Sequence, residues 1–188
     1  MLPVHSFIVL AVFVFLLLVL ILQGFWLHRR FREVLGTPSM DRFYFVAGKL
    51  TLLTTWVLFI VKAVIPRTGY IRVPETLAWF AVALLCLGAT MLILGALQLG
   101  SSLRTGLPRT ATTLVTRGVY RFSRNPVYLG HFMISIASCL YFPDLINVTF
   151  TLYGIYLHHH IIQHEERFLQ ERFGSEWLLY SARVSRYF

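Results

Sequence analysis

Two stretches of the chain hold residue types able to do chemistry. The first is His158-His159-His160 with His164, Glu165 and Glu166. On a continuous helix, His160 and His164 lie one turn apart on one face, and Ile161 and Ile162 stack on Glu165 and Glu166. Histidines four apart are able to chelate Zn or Fe. The histidine boxes of membrane desaturases and hydroxylases come in several copies, however. This chain offers one, with His5, His28 and His131 as scattered singles, so no metal site is assigned. A run of histidines at a helix end also marks the membrane–water boundary, which is the reading adopted for His158 and His159. Glu165 and Glu166 are less easily placed, because carboxylates at a helix C-terminal end face the wrong pole of the helix dipole. They need cationic partners, and Arg104, Arg117, Arg121 and Arg124 are the nearest supply. Two roles stay open: an ion-pair network that holds loop to helix, or a carboxylate that meets a cationic ligand.

The second stretch runs from Thr112 to Gly130. Asn125-Pro126 signals a helix start, with Pro126 at the first helical position. Helix N-termini present free N–H groups that bind carboxylates or phosphates. Tyr120 and Tyr128 offer ring faces to a cation or a purine, and equally suit an interfacial aromatic belt.

The elements that must position these residues are apolar. Of 188 residues, 57% are hydrophobic and only 13% charged, and mean hydropathy is +0.68. Soluble domains are ~45–50% apolar and ~25% charged. Disorder is excluded, as is a disulfide scaffold, since Cys86 and Cys139 both lie in apolar runs. The net charge of +9 sits in short connectors, as the positive-inside rule and anionic lipid require, so nucleic acid is not expected as a partner. The expected class is an all-α polytopic membrane protein with five transmembrane helices. Three N-terminal membrane helices occupy 1–99, from Phe7 to Leu27, Phe43 to Ile65 and Thr76 to Leu99. The absence of Lys or Arg from Met1 to Ser6, and of a small-x-small site, argues against a signal peptide. His28-Arg29-Arg30-Phe31-Arg32 reads as a cytoplasmic anchor, which puts the N-terminus outside. Lys49 and Lys62 lie near the two ends of the second segment, where both are able to snorkel to the headgroups. Ala81, Gly88 and Gly95 form a small-residue stripe that allows close helix approach.

The remainder, 100–188, is expected to hold a basic cytoplasmic loop from Gly100 to Asn125, a short helical hairpin and an amphipathic end. The hairpin pairs Val127 to Phe142 with Leu145 to Ile162 across a Pro143-Asp144 turn. Its second arm runs on to Phe173, with Gly174 as a stop. An interfacial stretch from Ser175 to Phe188 closes the chain, leaving the C-terminus in the cytoplasm. The whole reads as one domain.

Leu114-Val115-Thr116-x-Gly118-x-Tyr120-Arg121-x-x-Arg124-Asn125-Pro126-x-Tyr128-x-Gly130 resembles the central motif of the isoprenylcysteine carboxyl methyltransferase family and its bacterial relatives, which are related to phospholipid methyltransferases. Glu165-Glu166-x-x-Leu169-x-x-x-Phe173-Gly174-x-x-Trp177-x-x-Tyr180-x-x-Arg183-Val184 looks like the family's second motif. The resemblance implies an integral membrane methyltransferase that uses S-adenosyl-L-methionine without a Rossmann domain. By matching position it implies a cofactor site of Thr112, Thr113, Leu114, Val115, Tyr120, Asn125, Pro126, Val127, Tyr128 and Glu165. This chain departs from the family in three places. Asn125 stands where His is frequent, Ile161 stands where eukaryotic members carry a substrate-binding Arg, and no Pro follows Val184.

The expected function is methyl transfer to a lipophilic acceptor at the membrane, whether small molecule, lipid or lipidated, in the manner of the isoprenylcysteine carboxyl methyltransferases. Phospholipid N-methylation is the alternative. A metal-dependent oxidase or nicotinamide-dependent reductase represents another class, although the chain is short for the helix set of sterol reductases. Methyl transfer from a sulfonium needs mainly alignment. Glu166, Arg124 and His160 are the candidate catalytic residues. Glu166 and His160, with His164, are bases for an acceptor that must lose a proton; Arg124 or Arg104 would replace the missing anion clamp.

Overall fold

The computed structural model describes residues 2–31, 37–68, 71–103, 106–107 and 112–188. Arg104 and Arg32 lie outside the described residues. Among the described residues six α-helices follow in order: α1 (Val4–Phe31), α2 (Arg42–Val64), α3 (Glu75–Leu99), α4 (Pro126–Tyr141), α5 (Leu145–Phe173) and α6 (Ser175–Ser181). Among the described residues there is no strand, only an isolated antiparallel bridge between Thr37 and Leu107. Three helices are long and apolar enough to cross a membrane: Val4–Trp26, Arg42–Val64 and Glu75–Leu99. Their outward faces expose Phe15, Leu18, Leu53, Phe80 and Leu97, an apolar surface that suits lipid and not water. α4, with 16 residues, is only ~24 Å long at ~1.5 Å per residue, short of the ~30 Å hydrocarbon core.

The helix ends follow local chemistry. The Asp41 carboxylate accepts the Phe43 N–H at the start of α2, and Asp144 does the same for Ile146 at the start of α5. Asp144 thereby makes the tight α4–α5 turn. α5 continues unbroken past the His run, as its lack of breakers predicts, until Gly174 at φ 52°. Helix α6 ends at Ser181 and residues to Phe188 are irregular; the carbonyls of Ser181, Val184, Ser185 and Arg186 are spent on residues 123–125 before α4.

Small residues decide how α3 and α4 meet. A Cβ at Gly88 would lie 2.9 Å from the Gly130 carbonyl oxygen, and one at Gly130 would lie 2.6 Å from the Gly88 oxygen and 2.7 Å from the Leu92 nitrogen. The Gly88–Gly95 stripe of α3 therefore seats the start of α4, with Gly95 against Pro126 and Val127. This is the close backbone approach typical of membrane helix pairs. α2 packs on α5 and α4, and α1 lies along α3. The core cluster joins Leu16, Phe59, Leu85 and Ile134.

Gly130→Ala is expected to destabilise the protein by about 1–3 kcal/mol through overpacking of backbone against backbone. Gly24→Ala, where a Cβ meets nothing within 4 Å, is expected to leave stability unchanged or raise it slightly. Thermal unfolding followed by circular dichroism in a neutral detergent checks both.

Candidate active site

Helices α1 to α5, α6 and the 112–115 segment surround a cavity of about 430 Å³, within the ~300–1,000 Å³ of small-ligand sites. Its walls come from two sources. The loop and the start of α4 contribute Thr112, Thr113, Leu114, Val115, Tyr120, Arg124, Asn125, Val127 and Tyr128, and α5 contributes Glu165. The membrane helices contribute Leu20, Gln23, Lys49, Leu92, His131 and His158.

Glu165 and Glu166 are consecutive, so a helix turns them apart by ~100°, and they have different partners. Tyr128 donates its hydroxyl to Glu165, 2.9 and 3.0 Å from the two carboxylate oxygens. Glu165 lines the cavity. Burial pushes its carboxyl above the ordinary range, while the charge of Lys49 and the Tyr128 bond work against that shift. Glu166 turns away from the cavity and is buried, its side chain 9% exposed. Arg124 donates to it from Nε at 3.1 Å and Nη2 at 3.2 Å. Arg186 donates from Nε at 3.0 Å and Nη2 at 2.8 Å, and the Asn125 amide donates at 2.9 Å. Burial alone would raise the Glu166 carboxyl. The hydrogen bonds from Arg186, Arg124 and Asn125 outweigh it and hold the group below the usual carboxylate range.

Among the described residues Arg124 makes four side-chain hydrogen bonds. Besides Glu166, its Nη1 donates to the Ser181 and Val184 carbonyls at 2.8 and 3.0 Å, and its backbone N–H reaches the Ser185 carbonyl. Ser123 Oγ donates to the Arg186 carbonyl at 3.2 Å. The C-terminal segment is thus stitched to residues 123–125. Tyr180, which burial pushes up to about 12, donates to the Tyr120 carbonyl at 2.7 Å. Tyr120 in turn donates to the Gly95 carbonyl at 3.3 Å. Gly118, at φ 63°, lies so close to the Gln98 amide that no Cβ fits. Gln98 accepts the Val119 N–H at 2.8 Å, which fixes the short 3-10 turn carrying Tyr120.

Two sets of backbone donors open on the cavity. The Asn125 side chain makes no capping bond to α4, and the Val127 and Tyr128 N–H groups have no partner among the described residues. The backbone of Leu114 and Val115 also makes no hydrogen bond among the described residues.

Of the residues singled out in the sequence, Thr112, Thr113, Leu114, Val115, Tyr120, Asn125, Val127, Tyr128, Glu165 and Arg124 line one cavity. Pro126, Glu166 and His160 do not. Pro126 packs on Gly95, and His160 stands edge-on to Tyr156 at 4.7 Å. Arg117 and Arg121 do not pair with the glutamates; Arg186 does.

Sequence reasoning missed Lys49, His131 and His158. Lys49 does not snorkel to the headgroups: its Nζ lies 5.1 Å from the Tyr128 ring centre and 5.3 Å from that of Phe45, at the cavity wall. His158, buried, donates Nδ1–H to the Gly154 carbonyl at 2.9 Å, and His131 does so to Val127 at 2.9 Å. A carbonyl only accepts, so each ring keeps Nε2 as its acceptor when neutral. The signal available was a Lys or His inside an apolar run.

Fold and site together define a polytopic helical membrane protein with a ligand cavity between its helices and a basic loop. The chain belongs to the phospholipid methyltransferase family, whose sequence model matches residues 76–176, more than half of its length. No curated protein matches the chain. It is therefore an integral membrane methyltransferase; enzymes of this family generally draw the methyl group from S-adenosylmethionine.

Glu166→Gln is expected to cost about 3 kcal/mol, the low end for a broken buried pair because Arg186 is partly exposed. The folded Glu166 carboxyl lies below its unfolded value, about 4.3. Its stabilisation is therefore complete above that value and is lost as pH falls through the folded one. Thermal unfolding across an acid series should show a wild-type decline below about pH 4 that flattens in the Gln variant.

Proposed function

We propose that the cavity binds S-adenosylmethionine and that the protein transfers its methyl group to a lipophilic acceptor that enters from the bilayer. The supporting observation is the joint wall: loop, α4 start and Glu165 on one side, lipid-embedded helices on the other, around a single space.

The residues present fit that cofactor. The uncapped N-terminus of α4 suits a carboxylate, and Glu165 suits an ammonium. The backbone of Leu114 and Val115 offers the donor and acceptor pair that an adenine edge requires. Tyr120 and Tyr128 present ring faces of the kind that attract a cation. Bound there, the cofactor supplies a methyl group on a sulfonium, which the acceptor's lone pair takes as the carbon–sulfur bond breaks and sulfur keeps the electron pair. The chain's own part is alignment and exclusion of water. Arg124, Glu166 and Arg186 take no direct share in this reading; they act as positioning residues by fixing loop and tail.

The topology we propose has five membrane helices, with α4 and α5 as a short hairpin, the N-terminus outside, and the site and C-terminus cytoplasmic. The cofactor site is organised as in the isoprenylcysteine carboxyl methyltransferases. Phospholipid N-methylation is favoured as the acceptor chemistry by two observations. The matched family is one of phospholipid methyltransferases, and Ile161, where those carboxyl methyltransferases carry an anion-binding Arg, is fully buried in the core. An amine acceptor must reach the cofactor unprotonated, and His131 and His158, whose Nδ1–H groups are spent on backbone carbonyls, offer Nε2 as a proton acceptor at the cavity wall.

Titration of S-adenosylhomocysteine into detergent-solubilised protein is expected to give saturable one-site binding. Glu165→Gln should weaken it by about tenfold, or 1.4 kcal/mol, with the circular dichroism unchanged. Wild-type affinity in that variant would remove Glu165 from the site, and absence of binding in the wild type would refute the reading.

A further inference from the structure

Lys49 is a cation within α2, a helix long and apolar enough to cross a membrane. Such residues are costly to bury in lipid and pair with something. Among the described residues Lys49 makes no hydrogen bond and no ion pair. Its contacts are the faces of Tyr128 and Phe45, so its positive charge has no anion in direct contact. It lines the cavity together with Gln23. Gln23 Nε2 donates to the Ala96 carbonyl at 2.7 Å, which fixes the amide's orientation. Its Oε1 is left buried with no partner among the described residues. The same cavity wall carries apolar Leu20, Leu92, Ala96 and Leu99, together with the rings of His131 and His158.

The other charges of the cavity are already engaged. Glu165 holds Tyr128, and every donor group of Arg124 for which a bond is seen goes to Glu166 or to tail carbonyls. The open N–H groups of α4 provide a separate place for the cofactor's carboxylate. Lys49 also lies outside residues 76–176, the region that the family model matches.

We propose that Lys49 binds an anionic group on the methyl acceptor, so that the acceptor is an amphiphile whose head carries a phosphate or carboxylate. Its phosphate or carboxylate meets Lys49, a hydroxyl or N–H donates to Gln23 Oε1, and its chain lies along the α1–α3 wall. This rests on the methyltransferase reading for the word acceptor; the anion site itself is testable apart from it. The rival role is charge balance for Glu165, with which Lys49 interacts across the cavity.

The test uses the full chain in a neutral maltoside detergent and titrates dodecyl phosphate and, separately, laurate, without cofactor. Wild type is expected to bind at least one of them, and the tighter probe identifies the head group. Lys49→Met, of similar length and apolar, should bind that probe about tenfold more weakly while its S-adenosylhomocysteine affinity stays within about twofold. Lys49→Arg keeps the charge and should retain anion binding. Equal anion affinity in wild type and Lys49→Met overturns the proposal. So does a folded Lys49→Arg that binds neither probe, or a Lys49→Met that loses S-adenosylhomocysteine about tenfold, which would make Lys49 a cofactor residue. Wild type that binds the anion through Lys49 but binds no S-adenosylhomocysteine would defeat the methyltransferase reading and leave the anion site standing.

Discussion

The buried carboxylate of Glu166, shared between Arg124 and Arg186, is the constraint on which the site depends. It joins segments distant in sequence: the loop before α4, the C-terminal part of α5 and the tail after α6. A lone carboxylate at a helix C-terminal end would be unfavourable on both dipole and desolvation grounds. With two guanidiniums and an amide around it, it becomes a fixed centre. Arg124 then has spare N–H groups, which satisfy the Ser181 and Val184 carbonyls and stop the tail from continuing as helix. Tyr180 and Tyr120 extend the same chain of contacts to the Gly95 carbonyl of α3. The roof of the cavity is thereby tied to α3 by polar bonds as well as by packing.

Helical periodicity divides the work between neighbours. Glu166 is committed to structure, and the preceding Glu165 is released from it to face the cavity with Tyr128. One pair of adjacent carboxylates thus yields one structural and one cavity-facing group. The same division explains Arg124, which lines the cavity yet has its donors occupied elsewhere. Lys49, from a different helix, is a cavity-lining cation that makes no hydrogen bond or ion pair among the described residues, although its charge acts on Glu165.

Most of the architecture was legible in the sequence, because apolar runs, Pro126, Asp144 and Gly174 each report a local preference. The α3 stripe announced close packing, and Gly130 of α4 turned out to be its counterpart. Glu165 and Glu166 showed that partners were needed but not which ones, since both structural and ligand-binding roles satisfy the same spacing. Arg186 was hidden because its pairing depends on a tail that leaves the helix. Lys49, His131 and His158 were hidden for a related reason. Each sits singly or within a run whose simplest local account is the membrane boundary, and only the packing of α2 against α4 and α5 brings them to one wall. His160, prominent in sequence, faces Tyr156 instead.

The account makes this chain a membrane enzyme whose cofactor side is built by loop and tail and whose acceptor side is built by lipid-facing helices. The most direct test is transfer itself. Purified protein in vesicles containing phosphatidylethanolamine is incubated with S-adenosylmethionine labelled in its methyl group, and the organic phase is then extracted. The account predicts label in the lipid fraction, dependent on Glu165. Label that never enters the organic phase, from these vesicles or from a total membrane lipid extract, would contradict it.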